Sequence, residues 1–163
     1  MSMKKQKVFV LFSHLADDME YEILLASTDV GKILKKWTEF GTADDFNFCH
    51  GSPLTAELIE FRGYLDSTYQ EDNRRYVIDS FEVEIPESKE MYGVLITGDE
   101  NMWLADMHGL AKSKEEAIDF IMNQLKEWEI TDYPEDYKES LEEKNSMVDP
   151  EYMHWDIIKV KIE

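Results

Sequence analysis

Apolar positions fall along the chain in two rounds of the same order. Residues 7–13 and 91–97 are nearly unbroken apolar runs, the pattern of central strands covered on much of their surface. Turn-forming residues follow each run, at 16–18 and at 98–101, and lead into a second apolar segment, so each round opens with a predicted β-hairpin. A helix comes next. In the second round Ser113 and Glu116 have the spacing of a capping box, and Ala117, Ile121, Leu125 and Trp128 recur at helical intervals beside Ile118 and Met122. In the first, Thr28 or Asp29 starts a helix that buries Val30, Ile33, Leu34 and Trp37, with Gly41 placed to end it. Each round closes on a strand, where Phe81, Val83 and Ile85 alternate with Ser80, Glu82 and Glu84, and Ile158, Val160 and Ile162 with Lys159 and Lys161.

Laid over one another, Val10 and Leu11 fall on Val94 and Leu95, while Leu25, Ala26, Thr28 and Ile33 fall on Leu110, Ala111, Ser113 and Ile118, one residue further on. The expectation is an α+β fold of two tandem ββαβ units, residues 1–86 and 87–163, pseudo-duplicated and mostly antiparallel, with helices on one sheet face. A right-handed crossover from the second strand puts the closing strand beside the first, giving the order 2-1-3. Units of about 80 residues are small for independent stability, so one compact domain is expected, as one extended sheet or two packed sheets. Glu82 and Glu84 opposite Lys159 and Lys161 would favour neighbouring closing strands.

The rounds differ between helix and closing strand. In the first, Pro53 opens a predicted inserted helix over 53–66, with Leu54, Leu58, Phe61 and Leu65 along one face. In the second, Pro134 opens a predicted helix over 133–144, with Tyr133, Tyr137 and Leu141 inward. Its outward face carries Glu135, Glu139 and Glu142 at i, i+4 and i+7, with Asp136 and Glu143 in the adjoining row, a span of about 11 Å. Such a helix is either an ordinary solvated surface or one shaped to meet positive charge. Repulsion between like charges at these spacings opposes the helix by about 0.2–0.5 kcal/mol per pair unless a partner relieves it.

Charge sharpens the second reading. The 163 residues carry 17 Lys and Arg against 36 Asp and Glu, for a net charge of −19. Direct binding to nucleic acid or anionic membrane is disfavoured, and a charged partner should be a basic protein surface. Residues 1–85 hold 9 basic and 16 acidic side chains, and residues 86–163 hold 8 and 20, so the second half is the more acidic. Carboxylates about 5–7 Å apart on one face match nucleic-acid phosphate in sign and spacing, and can occupy a basic nucleic-acid groove. The single cysteine, Cys49, excludes an intramolecular disulfide, and no apolar run is long enough to span a bilayer or serve as a signal peptide, which together predict a cytoplasmic protein.

Catalytic signals are weak. Adjacent Cys49 and His50 on an extended segment point to opposite faces, and nothing else marks a thiol nucleophile. His14, His108 and His154 lack metal-site spacing, and His108 on a strand is read as structural. Asp17, Asp18, Glu20 and Glu22, and the pair Asp99 and Glu100, are turn carboxylates that ordinarily face water. No phosphate-cradling loop is present. No catalytic, metal or cofactor site is therefore predicted, and the protein is not read as an enzyme. In residues 149–155, Tyr152, Met153 and Trp155 are residue types that anchor interfaces, although Trp155 equally suits the core at the start of the closing strand. The candidate partner-binding residues are Glu135, Asp136, Glu139, Glu142, Glu143 and Tyr152.

The strand "KVFVLFSH", the hairpin after it, "STDVGKIL" and the closing "YVIDSFEVEI" resemble small uncharacterised ββαβ domains encoded by phages of Gram-positive bacteria, over most of residues 7–85 apart from about 42–74. The resemblance implies no activity and no site residues, but it points to a phage or mobile-element origin. Small acidic proteins of that origin include counter-defence inhibitors of host nucleases, some of them nucleic-acid mimics. The leading expectation is a non-catalytic binding protein of this kind, docking on a basic surface of a host nuclease or another nucleic-acid-binding protein. The alternative is a small-ligand or nucleotide binder, with Trp103, Tyr92 or Trp155 lining a groove between the units and Arg62, Arg74 and Arg75 as the local basic cluster.

Overall fold

Both rounds of the sequence pattern place the closing strand beside the first, with two strands more than the pattern predicts in the first unit and one more in the second. The computed structural model describes residues 4–15, 21–48, 55–71, 74–97, 105–130, 132–149 and 153–163. The chain divides into two units, one of Met1–Glu84 with Lys161–Glu163 and one of Ile85–Val160.

In the first unit β1 (Lys5–Leu15) and β2 (Tyr21–Ser27) pair antiparallel, and α1 (Val30–Thr38) follows. A short 3-10 turn leads to β3 (Phe46–Phe48), then α2 (Ala56–Arg62), β4 (Tyr64–Tyr69) and β5 (Arg74–Glu84). The sheet order is β2-β1-β5-β4-β3, so the closing strand lies beside the first as expected. Val8, Phe9, Val10, Leu11 and Phe12 are all buried, which explains the unbroken apolar run. Asp29 caps α1 by accepting the Gly31 N–H at 2.9 Å. Ile33 and Trp37 then pack with Phe9, Leu11, Phe46, Ile59, Leu65, Tyr76 and Ile78.

The second unit runs β6 (Glu90–Thr97), β7 (Ala105–Ala111), α3 (Lys114–Glu127), α4 (Pro134–Lys144), β8 (Ser146–Val148) and β9 (His154–Lys161), with sheet order β7-β6-β9-β8. Ser113 accepts the Glu116 N–H at 3.1 Å, and the Glu116 carboxylate reaches back to the Lys112 N–H at 3.1 Å, a capping box displaced by one residue. Val94, Ile96, Ala117, Ile118, Ile121, Leu125, Leu141, Met147, Trp155 and Ile157 form the core.

The two units share more than ββαβ. The second is ββααββ and the first has the same order with β3 added between its two helices. In each a penultimate strand, β4 or β8, pairs antiparallel on the outer side of the closing strand. Both opening hairpins carry a β-bulge, at Leu11/Phe12 and at Val94/Leu95. The bulges, and the core-facing pairs Phe9 and Leu11 against Val94 and Ile96, put Leu11 in the place of Val94. The sequence overlay is therefore off by one residue.

Four further expectations need correction. The inserted helix predicted over 53–66 is α2, which ends at Gly63 with φ 68°, where a Cβ would meet Ser80 Oγ at 2.6 Å. Leu65 belongs to β4, and α2 buries Ile59 while Phe61 is 88% exposed. The first closing strand starts at Arg74, and its most buried part, Arg75 to Ile78, precedes the alternating stretch. The two closing strands lie in different sheets, so Glu82 and Glu84 are not cross-strand partners of Lys159 and Lys161. Their register partners are Lys7 and Lys5 on β1. The last residues return to the first unit, where Ile162 makes a parallel bridge to Ala26 and the Glu163 N–H donates to the Ala26 carbonyl at 2.8 Å. Among the described residues no helix is long and apolar enough to cross a membrane.

Candidate functional site: an acidic helix with an aromatic corner

The predicted acidic helix exists as α4. Pro134 opens it, Glu135 and Asp136 meet the positive end of its dipole, Lys144 lies in the last turn, and Asn145 ends it in the left-handed conformation. Leu141 is fully buried and Tyr137 half-buried against the core of the second unit. Two polar contacts fasten the far end: Ser140 Oγ donates to the Ser146 carbonyl at 2.6 Å, and Lys114 Nζ from α3 donates to the Glu142 carbonyl at 2.6 Å.

The five predicted carboxylates, Glu135, Asp136, Glu139, Glu142 and Glu143, are all exposed. None of their side chains makes an ion pair or hydrogen bond among the described residues, although Lys138 and Lys144 share the helix. Beside them, a cavity of about 360 Å³ between α3 and α4 is lined by Lys114, Glu115, Ile118, Asp119, Lys138 and Glu142. Tyr152 lies outside the described residues. Of the described residues near it, the Asp149 N–H donates to the Met153 carbonyl at 3.0 Å.

The aromatic corner at the start of α4 is where sequence and structure part. Tyr133 was expected to face inward with Tyr137; it is 72% exposed. It occupies the N-cap position with φ 56° and makes no side-chain cap hydrogen bond. A non-glycine residue in that conformation loses about 1–2 kcal/mol. Trp128, expected in the core stripe of α3, is 41% exposed at the helix C-cap. One side of its ring is held, because Trp155 packs against it with centroids 5.4 Å apart. Trp155 is fully buried and donates its indole N–H to Asp149 at 3.1 Å. His108, on the bulged side of β7, stands edge-on to both rings, at 5.8 Å from Trp155 and 6.4 Å from Trp128.

Electrostatics locate the carboxylates around this corner. The Tyr137 hydroxyl is pushed above its ordinary value, first by desolvation and then by Asp132, Asp149, Asp136 and Tyr133, so it stays protonated and remains a hydrogen-bond donor. Burial pushes the His108 imidazole below its ordinary value, with Asp106 pulling the other way.

The other candidates scatter. Cys49, His50, Asp17, Asp18, Glu20, Asp99, Glu100 and Trp103 lie outside the described residues. Among the described residues no group of three or more His, Cys, Asp or Glu is placed to hold a metal ion. Tyr92 and Trp155 belong to the core of the second unit. Arg75, from the expected basic cluster, is buried and engaged: its Nε donates to both Asp66 oxygens at 2.9 and 3.0 Å, and its Nη2 also pairs with that carboxylate. Its Nη1 lies 3.0 Å from Nε2 of buried His14. A guanidinium can only donate, so Nε2 accepts and the ring proton sits on Nδ1. Sequence reasoning missed this cluster, since its members lie 9 to 61 residues apart and meet only across the β1, β5 and β4 ladders.

The chain matches no family model, no curated protein and no solved structure.

Proposed function

We propose that this chain is a non-catalytic acidic binding protein that docks on a basic, nucleic-acid-binding surface of another protein, with the carboxylates of α4 standing in for phosphates. The observation that carries this reading is that Glu135, Asp136, Glu139, Glu142 and Glu143 are exposed on one helix and that their side chains make no ion pair among the described residues. Repulsion among them opposes the helix and is relieved when cationic side chains arrive. In its finer form the partner is a host nuclease, the chain a phage-encoded counter-defence inhibitor, and the place of action the host cytoplasm. The sequence resemblance and the net charge of −19 support that form. The small-ligand reading draws no support from the described residues it names, because Trp155 is buried in the core with Tyr92 packed against it and Arg75 is bound to Asp66.

The test uses a partner recovered from bacterial lysate on the immobilised protein and shown to be displaced by duplex DNA. Replacing the five α4 carboxylates by Gln spares Leu141 and Tyr137, so the fold is expected to survive with unchanged or slightly higher melting temperature. The on-rate should drop at least tenfold and its salt dependence should flatten, because steering is electrostatic. An unchanged on-rate in the folded quintuple variant rejects this face as the docking surface.

A further inference from the structure

We propose that Trp128 and Tyr133, bordered by Glu129, Asp132 and Asp136, form a cation-accepting anchor that takes an arginine side chain of the basic partner. The inference rests on the docking reading above and names the contact that fixes the partner in place.

Residues 127–137 read "EWEITDYPEDY", three aromatics and five carboxylates without one basic residue. Trp128 and Tyr133 are five residues apart, so their Cα atoms are separated by at most about 17 Å. Glu127, Glu129, Asp132, Glu135 and Asp136 are all exposed. The corner thus offers aromatic surface inside a negative field. An anionic ligand is repelled there, and so is a second copy of this chain. A purely apolar ligand would strip water from the carboxylates without replacing their hydrogen bonds. A cation satisfies both features.

Arginine fits better than lysine. A planar guanidinium lies flat on an indole or phenol ring while its N–H groups fork to a carboxylate at the ring's edge. A lysine ammonium is a more strongly hydrated point charge and gains less from the ring.

On the Trp128 side the corner is braced before a partner comes. Trp128 is braced by Trp155, which is itself tethered to Asp149, so little side-chain freedom remains to be lost on binding. Tyr133 breaks a local rule: the N-cap favours Ser, Thr, Asp or Asn, whereas this chain places there an exposed tyrosine in a left-handed backbone conformation without a cap bond. Local rules are broken mainly where function requires it.

The probes are fluorescently labelled hexa-arginine and hexa-lysine peptides, equal in charge, titrated into the full chain at about 0.1 M NaCl. The wild-type chain should bind hexa-arginine about five- to tenfold more tightly than hexa-lysine. Trp128→Leu with Tyr133→Ser should abolish that preference while leaving hexa-lysine affinity within about twofold, because no charge is removed. Trp128→Phe keeps a ring and should retain part of the preference. A folded double variant, checked by its melting curve, that still prefers arginine overturns the anchor, as does equal binding of the two peptides by the wild type. If the double variant binds the DNA-displaceable partner as the wild type does while the quintuple Gln variant does not, the anchor falls and the docking face stands. If neither peptide binds the wild type, both fall.

Discussion

Single side chains in this protein are set by contacts that the local sequence does not announce. Of the two readings the sequence allows for Trp155, interface anchor or core residue at the start of an alternating strand, the structure shows the second. The exposure of Trp128 was not legible: it continues the spacing of Ile121 and Leu125 but sits at the C-cap, where the helix axis ends and the stripe loses its floor. His108 was read as structural, and its contacts with Trp128 and Trp155 give that reading physical content. Its imidazole is held below the ordinary value by burial, so the folded protein binds a proton there less readily than the unfolded chain does. The contribution to stability is therefore intact above the unfolded value of about 6.5 and is lost as pH falls from there toward the lower folded value. We expect the His108 ring to titrate below 6.5 by NMR, and His108→Gln to lose less stability than the wild type between about pH 7 and pH 5. A midpoint at or above 6.5 would show that the Asp106 charge outweighs burial.

At the scale of elements, what was legible was what is encoded locally. The α3 helix has its cap and its apolar spacing within sixteen residues, and α4 has Pro134 and a buried Leu141, so both were found near their true limits. The penultimate strands β4 and β8 were missed because they are short and depend on a distant partner. In "YLDSTY" only Leu65 signals an inward face, and its spacing from Phe61 imitates a helix that Gly63 in fact ends. The phase between the two units could not be read from β1, whose residues 8–12 are buried on both faces and so show no alternation. The match of Lys5 and Lys7 to Glu84 and Glu82 was beyond reach for the same reason, being set by a pairing across more than 70 residues. The entry to α4 is the element with an energetic anomaly. Tyr133 holds φ 56° without a cap bond, so Tyr133→Gly should relieve the strain of the left-handed conformation and raise stability by about 1 kcal/mol, less whatever packing the ring supplies. The same substitution should weaken hexa-arginine binding. Stability gained together with affinity lost would mark the tyrosine as kept for recognition. Denaturant melts and peptide titration on one preparation check both, and a stability loss of more than about 1 kcal/mol would show that the ring packs after all.

On the scale of the whole molecule, a net charge of −19 acts on folding and on association with opposite signs. Within the chain the carboxylates repel one another, and compaction brings them closer, so self-repulsion favours the unfolded state. Toward a basic partner the same field attracts and steers. Added salt shortens the screening length from about 30 Å at 0.01 M to about 3 Å at 1 M and weakens both effects together. The melting temperature should therefore rise with NaCl while the on-rate to the basic partner falls, a pairing that neither a neutral protein nor one with internally paired carboxylates would give. General effects of salt on apolar burial also raise the melting temperature, and the quintuple α4 variant separates the two causes. It has the same core and five fewer negative charges, all from one exposed helix, so its melting temperature should start higher at low salt and climb less. The two melting curves should converge near 1 M NaCl, where side chains on neighbouring helical turns no longer sense one another beyond about 3 Å of solvent. Parallel rises in wild type and variant would show that α4 carries no more than its share of the repulsion. The unneutralised charge of that helix would then be too weakly focused to steer a partner.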